Sequence, residues 1–227
     1  RMSIIGTIQG MQIFWKGQAC FQILTSRGKN GELSIVVDPY EESIGLKLPN
    51  LQADILLVTH NHFDHNNAKE VKGSPFVISN PGEYDVKGVC IQGILSFHDD
   101  TQGKDRGLNT IYLMEVEGMK LCHLGDLGQK ELTGEQLNQI GDVDILFVPV
   151  GGVYTIDGKE ASHIVSQLEP KIVIPMHYAL PKLKAKLGGV EEFLKPMGAK
   201  SVKAEPKLLV KERDLVNEET RVVVLTP

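Results

Sequence analysis

The sequence predicts an α/β chain in which two β-sheets pack face to face. Short apolar strand segments, bounded by Gly, Asn and Asp turns, dominate both ends of the chain, while helices intervene in the second half. With 41% of its 227 residues hydrophobic and 23% charged, the chain has the composition of an ordinary globular protein that needs no staples to hold its core. No internal repeat or low-complexity linker interrupts it, so residues 1–227 are expected to form a single domain.

Residues 11–15, 19–25 and 33–37 read as three strands. Turn chemistry at Gly17-Gln18 and at Arg27-Gly28-Lys29-Asn30-Gly31 separates them. Asp38, directly after the apolar Ile35-Val36-Val37, suits a turn cap or a carboxylate that supports a neighbouring site. Residues 53–59 are apolar on both faces, as a strand covered on both sides must be. Asn66-Asn67 is expected to cap a short helix through Lys72, and residues 75–79 form the next strand. Two short strands follow within 84–95, around Lys87-Gly88, and lead to Ser96-Phe97-His98-Asp99-Asp100.

Residues 102–109 are a polar loop, and residues 110–116 and 119–124 alternate around Glu117-Gly118 as a hairpin. A helix near 135–140 precedes a buried strand, 144–150, that ends in Gly151-Gly152. Ala161, Ile164, Val165 and Leu168 share one face of a helix over 158–168, with His163 packed or at the surface. A strand over 171–176 leads to His177-Tyr178. Segment 179–198 carries Lys182, Lys184 and Lys186 and a helix near 190–194; it reads as a solvated face, with a lid or rim over a site as the alternative. Residues 208–211 and 221–225 are expected to pair as the last two strands, around Asn217-Glu218-Glu219.

The chemistry concentrates in Thr59-His60-Asn61-His62-Phe63-Asp64-His65. His60 and His62 are two apart, so at an extended strand end their side chains point the same way. Asp64 and His65 follow as the chain turns and face a second point beside the first. Imidazole and carboxylate ligands in that pattern suit Zn²⁺ and related divalent ions.

This HxHxDH stretch resembles the motif of the metallo-β-lactamase fold hydrolases. The resemblance runs from the WKGQACF strand at 15–21 to the VVVL strand at 222–225, and includes the HLGD of 123–126 and the IPMHY of 174–178. It implies a four-layer αββα sandwich with two metal ions at one edge, between the sheets. It assigns His60, His62 and His98 to one ion and Asp64, His65 and His177 to the other, with Asp126 between them. Asp38 would hold the metal-binding loop by hydrogen bonds, and His123 would pack beside the ligands. Asp99 and Asp100 read as solvated loop carboxylates, with Asp99 orienting His98 as the alternative. Arg106 is either solvated or a contact for an anionic group, and Gly151 and Gly152 either floor the substrate pocket or form a plain turn. Gln18 departs from the family, whose members often carry His there.

The function implied is a dinuclear metal-dependent hydrolase. A metal-bridging hydroxide, steered by Asp64, would attack a small anionic ester, lactone or phosphodiester. Zn is the expected metal, with Mn or Fe as alternatives. A di-iron redox protein of the same fold is the first competing reading, but it would carry Glu where His62 stands. A tRNA-processing nuclease would need a long basic arm, and only a short lysine run is present. A non-catalytic metal-binding module is the third. No GxSxG elbow offers a serine route. The net charge of −5 disfavours a broad nucleic-acid-binding face and points to a small-molecule partner. Three scattered cysteines, no apolar run long enough to span a membrane and no signal-peptide pattern at the start lead to the expectation of a cytoplasmic protein. The oligomeric state is not readable.

Overall fold

A computed structural model describes residues 10–28, 31–216 and 219–227. The strands in chain order are β1 (Met11–Gly17), β2 (Cys20–Gly28), β3 (Gly31–Val37), β4 (Ile55–Leu57), β5 (Phe76–Ile78), β6 (Gly82–Val86) and β7 (Val89–Phe97). They continue with β8 (Leu108–Val116), β9 (Met119–His123), β10 (Ile145–Pro149), β11 (Ile172–Met176), β12 (Leu208–Val210) and β13 (Arg221–Val222). The α-helices are α1 (Gly134–Ile140), α2 (Gly158–Leu168) and α3 (Glu191–Leu194).

The strands form two mixed sheets, ordered β12-β1-β2-β3-β4-β5 and β13-β11-β10-β9-β8-β7-β6. Their facing sides make the core. Met11, Ile13 and Trp15 alternate inward along β1, Phe21 and Ile23 along β2, and Ile35, Val37, Ile55 and Leu57 along β3 and β4. Phe147 of β10 meets Phe21 across the gap with ring centroids 4.5 Å apart. The other side of β10 is also buried because α2 packs on it, which is why Ile145–Pro149 is apolar throughout. The helix placed over 158–168 is present with Ala161, Ile164, Val165 and Leu168 buried and His163 exposed. Asp157 and Glu160 form a capping box at its start.

Strand direction decides where chemistry can collect. β3, β4 and β5 run parallel to one another, as do β9, β10, β11 and β13. β7 is antiparallel to β8, which is antiparallel to β9, so β7 and β9 also end at the same edge. β2 is antiparallel to β3, and therefore its first residues lie where β3 finishes. The ends of β3, β4, β7, β9, β10 and β11 and the β1–β2 turn thus share one edge of the sandwich.

Two expectations need correction. Residues 208–210 and 221–222 do not pair with each other: β12 joins β1 (Met11↔Val210), whereas β13 joins β11 (Ile172↔Arg221). Local apolar patterning marks a strand but does not choose its partner. Second, Asn67 opens only a 3₁₀ turn, Ala68–Glu70, without a side-chain cap. Its amide instead donates to the Tyr40 carbonyl. The expected two-sheet sandwich is present, and its outermost layer over the first sheet is thin. The outer face of the first sheet (Cys20, Val36, Leu56, Val58) is covered by Tyr40, Ile44, Leu48, Leu51 and Val71, from loops and 3₁₀ turns. The expected turn residues Lys29-Asn30 and Asn217-Glu218 and the start of the chain, 1–9, lie outside the described residues. No helix among the described residues is long and apolar enough to cross a membrane.

Phe147 is the test of the inter-sheet core. Phe147→Ala should cost about 3–5 kcal/mol of unfolding free energy, as large-to-small changes at fully buried aromatics do, read from urea denaturation.

Candidate metal centre

Asp38 fixes the loop that carries the histidine motif. The residue takes a positive φ of 48°, which turns its carboxylate back from the end of β3. Oδ1 accepts from the Thr59 backbone N–H at 2.8 Å, and Oδ2 accepts from the Thr59 hydroxyl at 2.7 Å. Oδ2 also lies 2.9 Å from His65 Nδ1, which leaves Nε2 of that ring facing the site. The Thr59 hydroxyl is in turn 3.0 Å from His60 Nδ1. One carboxylate therefore sets the backbone at Thr59 and the ring of His65, and through the Thr59 hydroxyl it reaches the ring of His60.

Asp126 is placed by two residues. Asn109 Oδ1 accepts from the Asp126 N–H at 3.1 Å while its amide donates to the Leu124 carbonyl. His123 Nε2 lies 2.9 Å from the Ala19 carbonyl, and its Nδ1 accepts from the Gly125 N–H at 3.1 Å. His123 thus ties the β1–β2 turn to the approach to Asp126, and it packs against Phe21 and Phe147 on the way. Gly125 must be glycine: φ is +57°, and a Cβ would fall 2.3 Å from Asn109 Oδ1.

Seven side chains from these strand ends form two adjoining groups, His60–His62–His98 and Asp64–His65–Asp126–His177. Within each group one potential ligand atom per residue lies within 4.8 Å of all the others. Asp126 Oδ2 joins the groups, at 3.1 Å from His65 Nε2, 3.3 Å from His177 Nε2 and 3.4 Å from His98 Nε2. All seven residues that the family resemblance nominated are present at this point.

The electrostatics of the centre are uneven. Burial would push the Asp126 carboxyl up, but His177 and His65 outweigh it and hold it well below the usual carboxylate range. Burial opposes charge on His65 too, yet Asp126 and Asp38 raise it well above its ordinary value. Burial, its main cause in each case, pushes His60, His98 and His177 down, which keeps those rings neutral with lone pairs available near pH 7. His60 Nε2, His98 Nδ1, His177 Nδ1, Asp126 Oδ1 and Gln18 Oε1 are buried without a hydrogen-bond partner among the described residues. Leaving such atoms unsatisfied costs about 1–3 kcal/mol each, and His60 Nε2 and Asp126 Oδ1 belong to the two ligand groups themselves, where a bound cation would satisfy them.

A cavity of about 650 Å³ opens onto both groups. Its lining includes Gln18, His62, Phe63, Asp64, Arg106 and Tyr154, together with Leu183–Ala185 of the segment after His177. That segment is therefore a wall of the cavity, and its Lys184 N–H is held by the Ile44 carbonyl. Gly151 and Gly152 are absent from the lining. A Cβ on Gly151 would meet the His177 carbonyl at 2.2 Å, so this glycine permits close packing of two strand ends instead of flooring the pocket.

Asp99 departs from its expected solvated role and does not orient His98. Its carboxylate is nearly inaccessible and accepts from the backbone N–H groups of Thr101, Gly103, Asp105 and Arg106 and from the Thr101 hydroxyl. Asp100, by contrast, is exposed and pairs with Lys130 at 3.4 Å. Gln18, noted only as a departure, has Nε2 3.4 Å from Asp64 Oδ2 and 3.2 Å from His177 Nε2. Asn109, Phe63 and Tyr154 carried no signal of spacing or motif that would have singled them out.

Comparison with known proteins fits this geometry. The family described as a beta-lactamase superfamily domain matches residues 12–177. The chain belongs to that superfamily. A UPF0173 metal-dependent hydrolase of Thermococcus onnurineus is 31% identical, the match covering 84% of this chain and 94% of that one. A solved metallo-β-lactamase superfamily protein of Thermotoga maritima is 39% identical, with a TM-score of 0.76 and coverage of 95% and 98%. A solved metallo hydrolase of Ignicoccus hospitalis, 23% identical with a TM-score of 0.61 over 89% and 98% of the two chains, shares the fold. Membership places this chain among the metal-dependent hydrolases of the superfamily.

The Asp99 loop yields a pH prediction. Burial raises the Asp99 carboxyl, but the N–H groups of Arg106 and Gly103 and the other donors outweigh it and hold it well below its ordinary value. A depressed folded-state pKa stabilises above the unfolded value of about 3.9 and ceases to do so as pH falls through the folded value. Asp99→Asn should therefore lower Tm at pH 7, and the gap from wild type should narrow below about pH 4 in a calorimetric pH series.

Proposed function

We propose that the chain is a dinuclear metal-dependent hydrolase of a small anionic ester, lactone or phosphodiester. The observation that carries this reading is the pair of ligand groups joined through Asp126 Oδ2. The donor set fits divalent cations: imidazoles, two carboxylates and buried atoms with no hydrogen-bond partner among the described residues. In this reading His60, His62 and His98 hold one ion, Asp64, His65 and His177 the other, and Asp126 lies between; Zn is the expected metal, with Mn or Fe as alternatives. Two such ions supply the Lewis acidity that makes water nucleophilic at neutral pH and stabilises a developing oxyanion.

The chain's own groups do the rest. Asp38 holds the His65 ring with Nε2 toward the site, and the Thr59 hydroxyl does the same for His60. Asp64 is the most suitable acid–base group, because its side chain retains 20% exposure at the cavity while Oδ2 stands beside Gln18 Nε2 and His65 Nε2. It is placed to accept a proton from the attacking water and to pass it toward the leaving group. Gln18 donates an amide N–H to that carboxylate and steadies it. A second support is that the buried carboxylates of Asp38 and Asp126 flank the His65 ring at 2.9 and 3.1 Å, a local negative charge that a divalent cation would offset. Free Cys20, Cys90 and Cys122 suit a cytoplasmic enzyme, folded as one domain and acting on a small molecule.

Elemental analysis of purified protein should give close to two equivalents of divalent metal per chain, and a screen of lactones, phosphodiesters and thioesters should find turnover that chelation abolishes. Full hydrolysis by stripped protein would sink the proposal. Asp38→Ala should weaken metal binding by roughly 10–100-fold in a competition titration, as loss of a group orienting a ligand does.

A further inference from the structure

Tyr154 stands on a turn that core packing does not require. Gly152 takes φ +63° and Val153 φ +64°. A β-branched residue in the left-handed region is strained and persists only where its surroundings enforce it. Here the turn is pinned at both ends: Tyr154 and Thr155 donate to the Gly152 carbonyl, Gly152 to Ile156, and Ile156 to Leu127. Burial does not offset the strain, since Val153 is 64% and Tyr154 40% exposed. What the turn does achieve is to set the Tyr154 ring 4.7 Å from the Arg106 guanidinium carbon.

Arg106 is fixed from the other side as well. Its backbone N–H donates to Asp99 at 2.8 Å, and Asp99 directly follows His98. Arg106 has no carboxylate within ion-pair distance among the described residues, and neither has Lys184 on the same cavity. A guanidinium held over an aromatic ring keeps its N–H fork available for bidentate contact with an oxyanion. The lining between these cations and the ligand groups is apolar in part, with Phe63 60% exposed beside Ile44 and Leu183.

We infer that Arg106, braced by Tyr154, determines specificity by binding a phosphate or carboxylate that the substrate carries apart from its scissile bond. Lys184 adds a point charge at the mouth, and the apolar part of the substrate lies against Phe63 and Ile44. This rests on the hydrolase reading above, but it can fail separately. The reacting bond must sit at the two ligand groups, and an anion confined there would leave Arg106 without a task.

The test uses metal-loaded full chain and a matched pair of esters, 4-nitrophenyl hemisuccinate and 4-nitrophenyl butyrate, which differ in a remote carboxylate. Wild type should favour the charged ester in kcat/KM, chiefly through KM. Arg106→Ala should reduce that preference tenfold or more, Arg106→Lys should restore part of it, and Tyr154→Ala should reduce it where Tyr154→Phe does not. Calorimetric titration with phenyl phosphate and with phenylacetate gives a second readout, with Arg106→Ala binding at least tenfold more weakly. Loss for phenyl phosphate alone identifies a phosphate handle, and loss for phenylacetate a carboxylate. An unchanged ester preference together with titrations equal to wild type would overturn the inference. If wild type turned over neither ester, the hydrolase reading would suffer, and the titrations alone would decide the role of Arg106.

Discussion

Asp126 is 2% exposed, and a carboxylate that deep stays ionised only where partners compensate its lost hydration. Its Oδ2 gathers His65, His98 and His177, three rings carried by loops at the ends of three different strands. Asp38, fully buried, repeats the situation one layer back, facing His65 from the other side. His65 is thus clamped between two carboxylates, which favour its charged form. Much of the surrounding structure serves this arrangement: Asn109 and His123 set the backbone at Asp126, and Thr59 fixes the turn into the histidine motif.

The sandwich makes such convergence inexpensive because strand direction does the gathering. Residues 38, 60, 98, 126 and 177 are far apart in sequence, yet each follows a strand pointing at the same edge. Backbone groups at those ends have left the ladder, which frees the chain to adopt unusual conformations. Asp38 and His177 both take positive φ there, at 48° and 53°. The hydrophobic interior, anchored by Trp15, Phe21 and Phe147, holds the two sheets together behind them.

Much of this was legible in the sequence. The spacing of His60, His62, Asp64 and His65 after an apolar strand announced a ligand cluster by geometry alone. His98, Asp126 and His177 were legible only through resemblance, since a lone His or Asp after a strand carries no signal of its own. Asp99 was misjudged because an aspartate in a polar loop looks solvated, and the αL-rich backbone that wraps it has no pattern in residue type. Asn109 was missed for a similar reason: its partners, Leu124 and Asp126, are distant in sequence. The last two strands were recognised as strands but paired with each other, because periodicity reports burial and not register. The wall after His177 has no periodicity in its sequence, because it is irregular chain packed against Ile44.

The parting of the last two strands bears on how the chain comes off the ribosome. Until residues beyond 207 emerge, β1 and β11 each present an unpaired apolar border, one on either sheet. Such borders invite other nascent chains to add themselves as strands. The two closures, three residues at one margin and two at the other, both follow the histidine and aspartate groups in chain order. Every group nominated for the metals is translated before the strands that cover these two borders.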